Sequence, residues 1–312
     1  MVMHGEKSYL VTAVEATWGT SPGSPVYYHL PVTAYGVTMK RDRRNTTPVL
    51  GLRQRKHGRS FRGMPSGSLT AMWYGFKPNS NDKSLAEILT TWAFGSPESI
   101  DLPSQLMDWA EGPDVSNVRH NGMRVNSATL EGSADSGTIT FSLELMGKTE
   151  TALATAQALP ADREKIVEAD FADCTFTLGG SAISLRSFKY SIANNLTATY
   201  LNGTSPAFLA AGARVDSLTL MPMKTDDTWS AINRAFAEEH TTAVIVIKGL
   251  HNGTGTGGTN YTVCTITFNL LAFINPDDSR DIGKLIEQGL NFDVLKPDTS
   301  SDGVTIAWTE AE

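Results

Sequence analysis

Apolar residues that alternate with polar ones at a period of two leave this chain little choice but β-structure. Ile139, Phe141, Leu143 and Leu145 alternate with Thr138, Thr140, Ser142 and Glu144. Ile266, Phe268 and Leu270 do the same, and so do Val304, Ile306 and Trp308. Successive strand side chains point to opposite faces, so each run buries one face and wets the other. Val244-Ile245-Val246-Ile247 has no polar partner positions and predicts a strand covered on both faces.

The pattern also repeats in order. Val37-Thr38-Met39-Lys40 leads into a polar excursion, the chain returns as Ser68-Leu69-Thr70, and a helix follows with Leu85, Ile88, Leu89 and Trp92 on one face. Roughly 150 residues on, Tyr190-Ser191-Ile192 leads into a Gly/Asn/Thr-rich excursion. The return is Ser217-Leu218-Thr219, and a helix with Trp229, Ile232 and Phe236 follows. The reading is two tandem β domains, residues 1–150 and 169–312, joined by a linker over 151–168 with some helix around Ala152–Ala158. A chain of 312 residues is long enough for both.

Ser84 and Glu87 have the spacing of a capping box at the start of the first helix. Each helix has one apolar stripe and one wet face, and so is expected to lie with the stripe against a sheet. Cys174 and Cys264 both fall in strand patterns and read as two buried thiols. The N-terminus has no apolar h-region and no apolar run approaches ~18 residues, so neither a secretion signal nor a membrane span is expected.

Chemistry is sparse. The six histidines show no metal-ligand spacing, and no Cys-x-x-Cys or Gly-x-Ser-x-Gly occurs. Ser80-Asn81-Asp82-Lys83 satisfies Ser-x-x-Lys by letter only and reads as a turn before a helix. The glycines of 251–258 lack the Gly-Lys-Ser/Thr of a phosphate loop. No catalytic residue, metal or cofactor is expected.

One polar feature stands out. Residues 40–62 hold nine basic residues (Lys40, Arg41, Arg43, Arg44, Arg53, Arg55, Lys56, Arg59 and Arg62) against the single acid Asp42, a local charge of +8. The chain as a whole is −7, so the remainder is −15. Three readings are open: a solvated loop, a nucleic-acid site, or a contact to an acidic protein surface. Arginine's planar fork suits carboxylates and phosphates alike. A phosphate site would be strongly salt-sensitive, but Phe61 is the only aromatic in the segment for bases to stack on. A protein contact is the preferred reading, with a nucleic-acid-binding module as the alternative.

Three stretches carry a resemblance to a known family. They are EATWGT (Glu15–Thr20) with VYYHLPVT (Val26–Thr33) and the strand to Arg41, VNSATLEGSADSGTITFSLELMGK (Val125–Lys148), and FKYSIANN (Phe188–Asn195) with Leu201-Asn202-Gly203. In their order and spacing the chain resembles the tail tube (major tail) proteins of long, flexible-tailed bacteriophages, in the type with two tandem tube domains. The resemblance implies two β-sandwich domains, each with one flanking α-helix. It implies homotrimeric, pseudo-hexameric rings that stack into a hollow tube. The tube would hold a tape-measure protein, pass DNA without binding it specifically, and meet tail terminator and distal tail proteins at its ends. It would sit in the virion tail, be assembled in the host cytoplasm and involve no membrane. On this view Arg41, Arg43, Arg44, Arg53, Arg55, Lys56, Arg59 and Arg62 contact the adjacent ring. Asp293, Asp298 and Asp302 are possible acidic acceptors.

Overall fold

The computed structural model describes residues 8–46, 57–75, 83–95, 102–110, 117–158, 168–223, 230, 232, 240–248, 262–274, 289–297 and 302–310, with backbone alone at 42–46, 57–61 and 310. The first half contributes β1 (Tyr9–Val14), β2 (Tyr28–Leu30), β3 (Val32–Tyr35), β4 (Thr38–Thr46), β5 (His57–Met72), helix α1 (Leu85–Phe94), β6 (Gln105–Ala110), β7 (Asn117–Ser133), β8 (Ile139–Met146) and β9 (Thr149–Leu153). The second half contributes β10 (Thr175–Leu178), β11 (Ser181–Ile183), β12 (Leu185–Ala193), β13 (Thr197–Thr199), β14 (Phe208–Ala210), β15 (Val215–Pro222), β16 (His240–Lys248), β17 (Thr262–Phe273), β18 (Leu290–Val294) and β19 (Val304–Glu310). The fold is mainly β, as the period-two pattern requires.

The strand pairings of the first half recur in the second. β1 pairs with β2 and β6, β6 with β7, β7 with β8 and β9, and β5 with β4 and β8. In the same order, β10 pairs with β11 and β16, β16 with β17, β17 with β18 and β19, and β15 with β12 and β18. Following the ladders across, Leu69 answers to Leu220, Leu143 to Leu290 and Met123 to Leu271, and all six are buried. The ladders also correct the letter match. Ser66, not Ser68, stands in the position of Ser217.

β7 ties the halves together. Its first part pairs with β6 and β9, and its second part with β8 and β12. The β7–β12 ladder runs over seven pairs, from Ser127–Ala193 to Ser133–Ser187. The switch comes at Gly122, whose φ of 69° is accessible to glycine at little cost. A bulge on β6 between Gln105 and Met107 faces the same place. Further contacts cross the halves: Trp73 stacks on Trp308 with ring centroids 5.8 Å apart, and the Thr262 amide donates to the Gly75 carbonyl at 3.0 Å.

Helix α1 begins as its sequence predicts. The Glu87 amide donates to Ser84 Oγ at 3.2 Å, and Leu85, Ile88, Leu89 and Trp92 are buried. Trp92 Nε1 donates to the Met123 carbonyl at 3.0 Å, so the ring is core. The expected wet face is narrower than the stripe implies. Ala86, Thr90, Ala93 and Phe94 are buried too, because the second half covers the helix: Thr262 Oγ1 lies 3.0 Å from Ser84 Oγ, and Asn194 Nδ2 donates to the Ala93 carbonyl at 3.1 Å. Of the second helix, Ser230 and Ile232 are helical and Ile232 is buried; Trp229 and Phe236 lie outside the described residues.

Three other expectations change. No helix forms around Ala152–Ala158. Thr149–Leu153 is β9, held by a ladder to Asn117–Asn121 that no local pattern announces, and 154–158 is irregular. Val244 and Val246 are half-buried rather than covered, while Ala243, Ile245 and Ile247 face the core. Cys264 is buried as expected, whereas Cys174 is only partly so. Desolvation, with Asp173 and Asp170 nearby, still pushes the Cys174 thiol up to about 12, so it stays protonated.

Candidate assembly surfaces

Of the basic segment, the described residues lie on β4 and β5, an antiparallel pair (the basic hairpin). Arg41 is exposed on β4 opposite Gly63. Arg43, Arg44 and Arg59 have backbone positions in the ladder, with Arg44 opposite Arg59. Arg53, Arg55 and Lys56 lie outside the described residues. Arg62 is exposed and its guanidinium sits over the Tyr200 ring, 5.0 Å from the centroid. Beside it the Gly63 amide donates to the Thr204 carbonyl at 2.8 Å. The base of the basic hairpin therefore leans on the second half's excursion, a contact the sequence does not suggest. Asp293 is exposed on β18 and Asp302 is half-buried. The carbonyl of Asp302 accepts from Asn269 Nδ2 at 2.7 Å. Asp298 lies outside the described residues.

Next to this hairpin is a sheet edge. β3 and β4 pair with β5 on one side, and among the described residues no strand pairs with their other side. A cleft of ≈ 600 Å³ opens there, lined among others by Tyr35, Val37, Met39, Trp109, His120 and Glu150. Tyr35 stacks on Trp109 at 4.7 Å between centroids. Tyr35 Oη is 2.8 Å from His120 Nδ1, and His120 Nε2 is 3.2 Å from Glu150 Oε2. With Nε2–H donating to the carboxylate, Nδ1 is left to accept from the tyrosine hydroxyl. Burial holds His120 below its usual range, and the hydrogen bond and charge of Glu150, with the charge of Asp108, oppose it. Burial, with Glu150 and Asp108, raises Tyr35, so its hydroxyl stays protonated. The chain of contacts fixes side chains and presents no nucleophile.

Residues of the first two resemblance-bearing stretches meet in one place, around Gly122. The Gly122 amide donates to Glu15 Oε1 and the Gly19 amide to Glu15 Oε2, both at 2.8 Å. Trp18 Nε1 donates to the Gly122 carbonyl at 2.8 Å. Lys148 Nζ lies 4.6 Å from the Trp18 ring centroid and donates to the Trp18 carbonyl at 3.4 Å. The switch in β7 frees the backbone groups of Gly122, and Glu15 and Trp18 satisfy them. Backbone groups left unmade in a buried place are costly, which explains why the loop carries these residue types.

Among the described residues no group of three or more His, Cys, Asp or Glu could hold a metal ion, and no helix is long and apolar enough to cross a membrane. The fold is β-rich, with one sheet edge unpaired among the described residues. The profile of the phage tail tube protein family matches residues 5–268, and the chain belongs to that family, which is structural and not an enzyme family. No curated protein sequence matches it significantly. The chain therefore has a structural role in a phage tail tube, is located in the virion tail and assembles with copies of itself.

Proposed function

We propose that the chain carries two tube domains, residues 1–150 and 169–312 with 151–168 between them, and that three copies close a pseudo-hexameric ring. The rings stack into the hollow tube of a siphophage. The tube holds a tape-measure protein, then passes DNA, and meets terminator and distal tail proteins at its ends. Assembly takes place in the host cytoplasm. The observation behind this reading is the recurrence of one pairing scheme in both halves, with the β3–β4 edge unpaired among the described residues. An open sheet edge invites pairing with another chain, and a closed ring removes it. The basic hairpin, with Arg41, Arg43, Arg44, Arg53, Arg55, Lys56, Arg59 and Arg62, docks on an acidic surface of the next ring that includes Asp293, Asp298 or Asp302. Negative-stain electron microscopy of the concentrated protein at low and moderate salt is the test. Rings of three chains and hollow tubes are expected. Closed rings of another copy number would overturn the symmetry.

A further inference from the structure

The two polar excursions of the chain are counterparts, and in the folded chain they meet. One joins β4 to β5. The other joins β12 to β15, and β15 answers to β5 in the shared pairing scheme. Their chemistry differs: the first is the basic hairpin, whereas residues 194–213 carry no charged side chain. The uncharged excursion is pinned at its base to the first half. Asn194 Nδ2 donates to the Ala93 and Val125 carbonyls at 3.1 and 2.9 Å, and the Leu196 amide donates to Asn126 Oδ1 at 2.8 Å. Arg124, buried on β7, donates from Nη1 to the Leu209 carbonyl at 2.8 Å. The β13–β14 ladder, from Thr197–Ala210 to Thr199–Phe208, stiffens the excursion beyond these pins. Just past the ladder, Tyr200 lies under the Arg62 guanidinium and the Thr204 carbonyl accepts from the Gly63 amide.

That grip falls where the basic hairpin bends. Asp42 pairs with Arg62 and Arg43 with Ser60, so Phe61 is one extra residue on β5. A bulge of this kind bends its strand and adds local twist. Arg43, Arg44 and Arg59 lie beyond it. We infer that the Tyr200–Thr204 end of the second half's excursion aims the basic hairpin, with Tyr200 and Arg62 as positioning residues for ring stacking. This rests on the reading that the hairpin docks on the next ring. Arg62 then holds the hairpin as well as adding to its charge. Holding the base in advance removes part of the ordering cost that docking would otherwise carry. An uncharged, pinned excursion suits that task, because it steadies the arginines without drawing them into ion pairs of its own.

The test rests on Tyr200→Ala, with Tyr200→Phe as the rescue that keeps a ring face for the guanidinium. Tyr200 is half-buried, and Tyr200→Ala should leave the melting temperature unchanged; a fall would assign the ring to folding stability instead. The first readout uses dilute protein. Spin labels are attached through Arg44→Cys and Glu131→Cys, the latter an exposed position on β7, in a chain carrying Cys174→Ser and Cys264→Ala. Double electron–electron resonance should give one narrow distance distribution in the parent and with Tyr200→Phe, and a broadened or shifted one with Tyr200→Ala. An unchanged distribution would overturn the proposal whether or not tubes form. The second readout, without labels, is the protein concentration at which tubes appear in negative stain. Tyr200→Ala should raise it about tenfold, and Tyr200→Phe should stay within about twofold of the unaltered chain. Tubes from Tyr200→Ala at the unaltered concentration would overturn the positioning role while leaving the tube reading intact. An unaltered chain that forms neither rings nor tubes at any concentration would overturn the tube reading and the stacking role with it, and the distances would still decide whether the excursion holds the hairpin.

Discussion

At the scale of single residues, Gly122 is tightly constrained. A Cβ there would lie 2.8 Å from Trp18 Nε1 and 2.9 Å from Lys148 Cβ, on a backbone of positive φ. Gly122→Ala should cost on the order of 1–3 kcal/mol, read from the midpoint of denaturant unfolding. His120 gives a pH signature. Its folded-state affinity for a proton is held below that of the unfolded chain, near 6.5, so the unfolded state binds more protons as pH falls. Stability should be full above pH ~7 and decline as pH falls through the unfolded value. Thermal melts between pH 8 and pH 5 should show the decline, and His120→Gln should flatten it. Tyr35 and Glu150 contact the imidazole, and the charge of Asp108 also acts on it.

At the scale of elements, local chemistry was legible and distant pairing was not. The alternation at Ile139–Leu145 and at Ile266–Leu270, and the cap at Ser84, all describe what a segment does with its own neighbours. β9 was hidden because Thr149–Leu153 becomes a strand only when Asn117–Asn121 is beside it. The Glu15, Trp18, Gly122 and Lys148 cluster was half visible. Glu15, Trp18 and Lys148 stand in stretches that carry the family resemblance, Gly122 lies just outside them, and nothing in the sequence says that the four meet. The Tyr35–His120–Glu150 contacts join β3, β7 and β9 and left no trace in spacing. The charge of residues 40–62 was plain in the sequence, whereas the contact of Arg62 with Tyr200 was not. The Ser84 cap yields a prediction here. Its hydroxyl is fully buried and also meets Thr262, so Ser84→Ala should cost about 1–2 kcal/mol, measured as a fall in the unfolding free energy.

At the scale of the whole molecule, charge and apolar burial have separate tasks. The +8 of residues 40–62 faces a remainder of −15. A single exposed ion pair is worth about 0–1 kcal/mol, so only repetition around a ring would give the pairs weight. Arg53→Glu, Arg55→Glu and Arg59→Glu together should abolish ring stacking in electron micrographs while leaving the circular dichroism and melting of the monomer unchanged. Tubes of normal length from this variant would remove the hairpin from the stacking contact. The long strand β7 has a mechanical consequence. Its 17 residues span roughly 55 Å at about 3.3 Å per residue, and it is laced to four partners along that length. A pull along the strand loads many hydrogen bonds at once, in shear, instead of peeling them one by one. Each chain should thus behave as a stiff link under tension or bending, and a conduit built from such links would yield at the seams between chains.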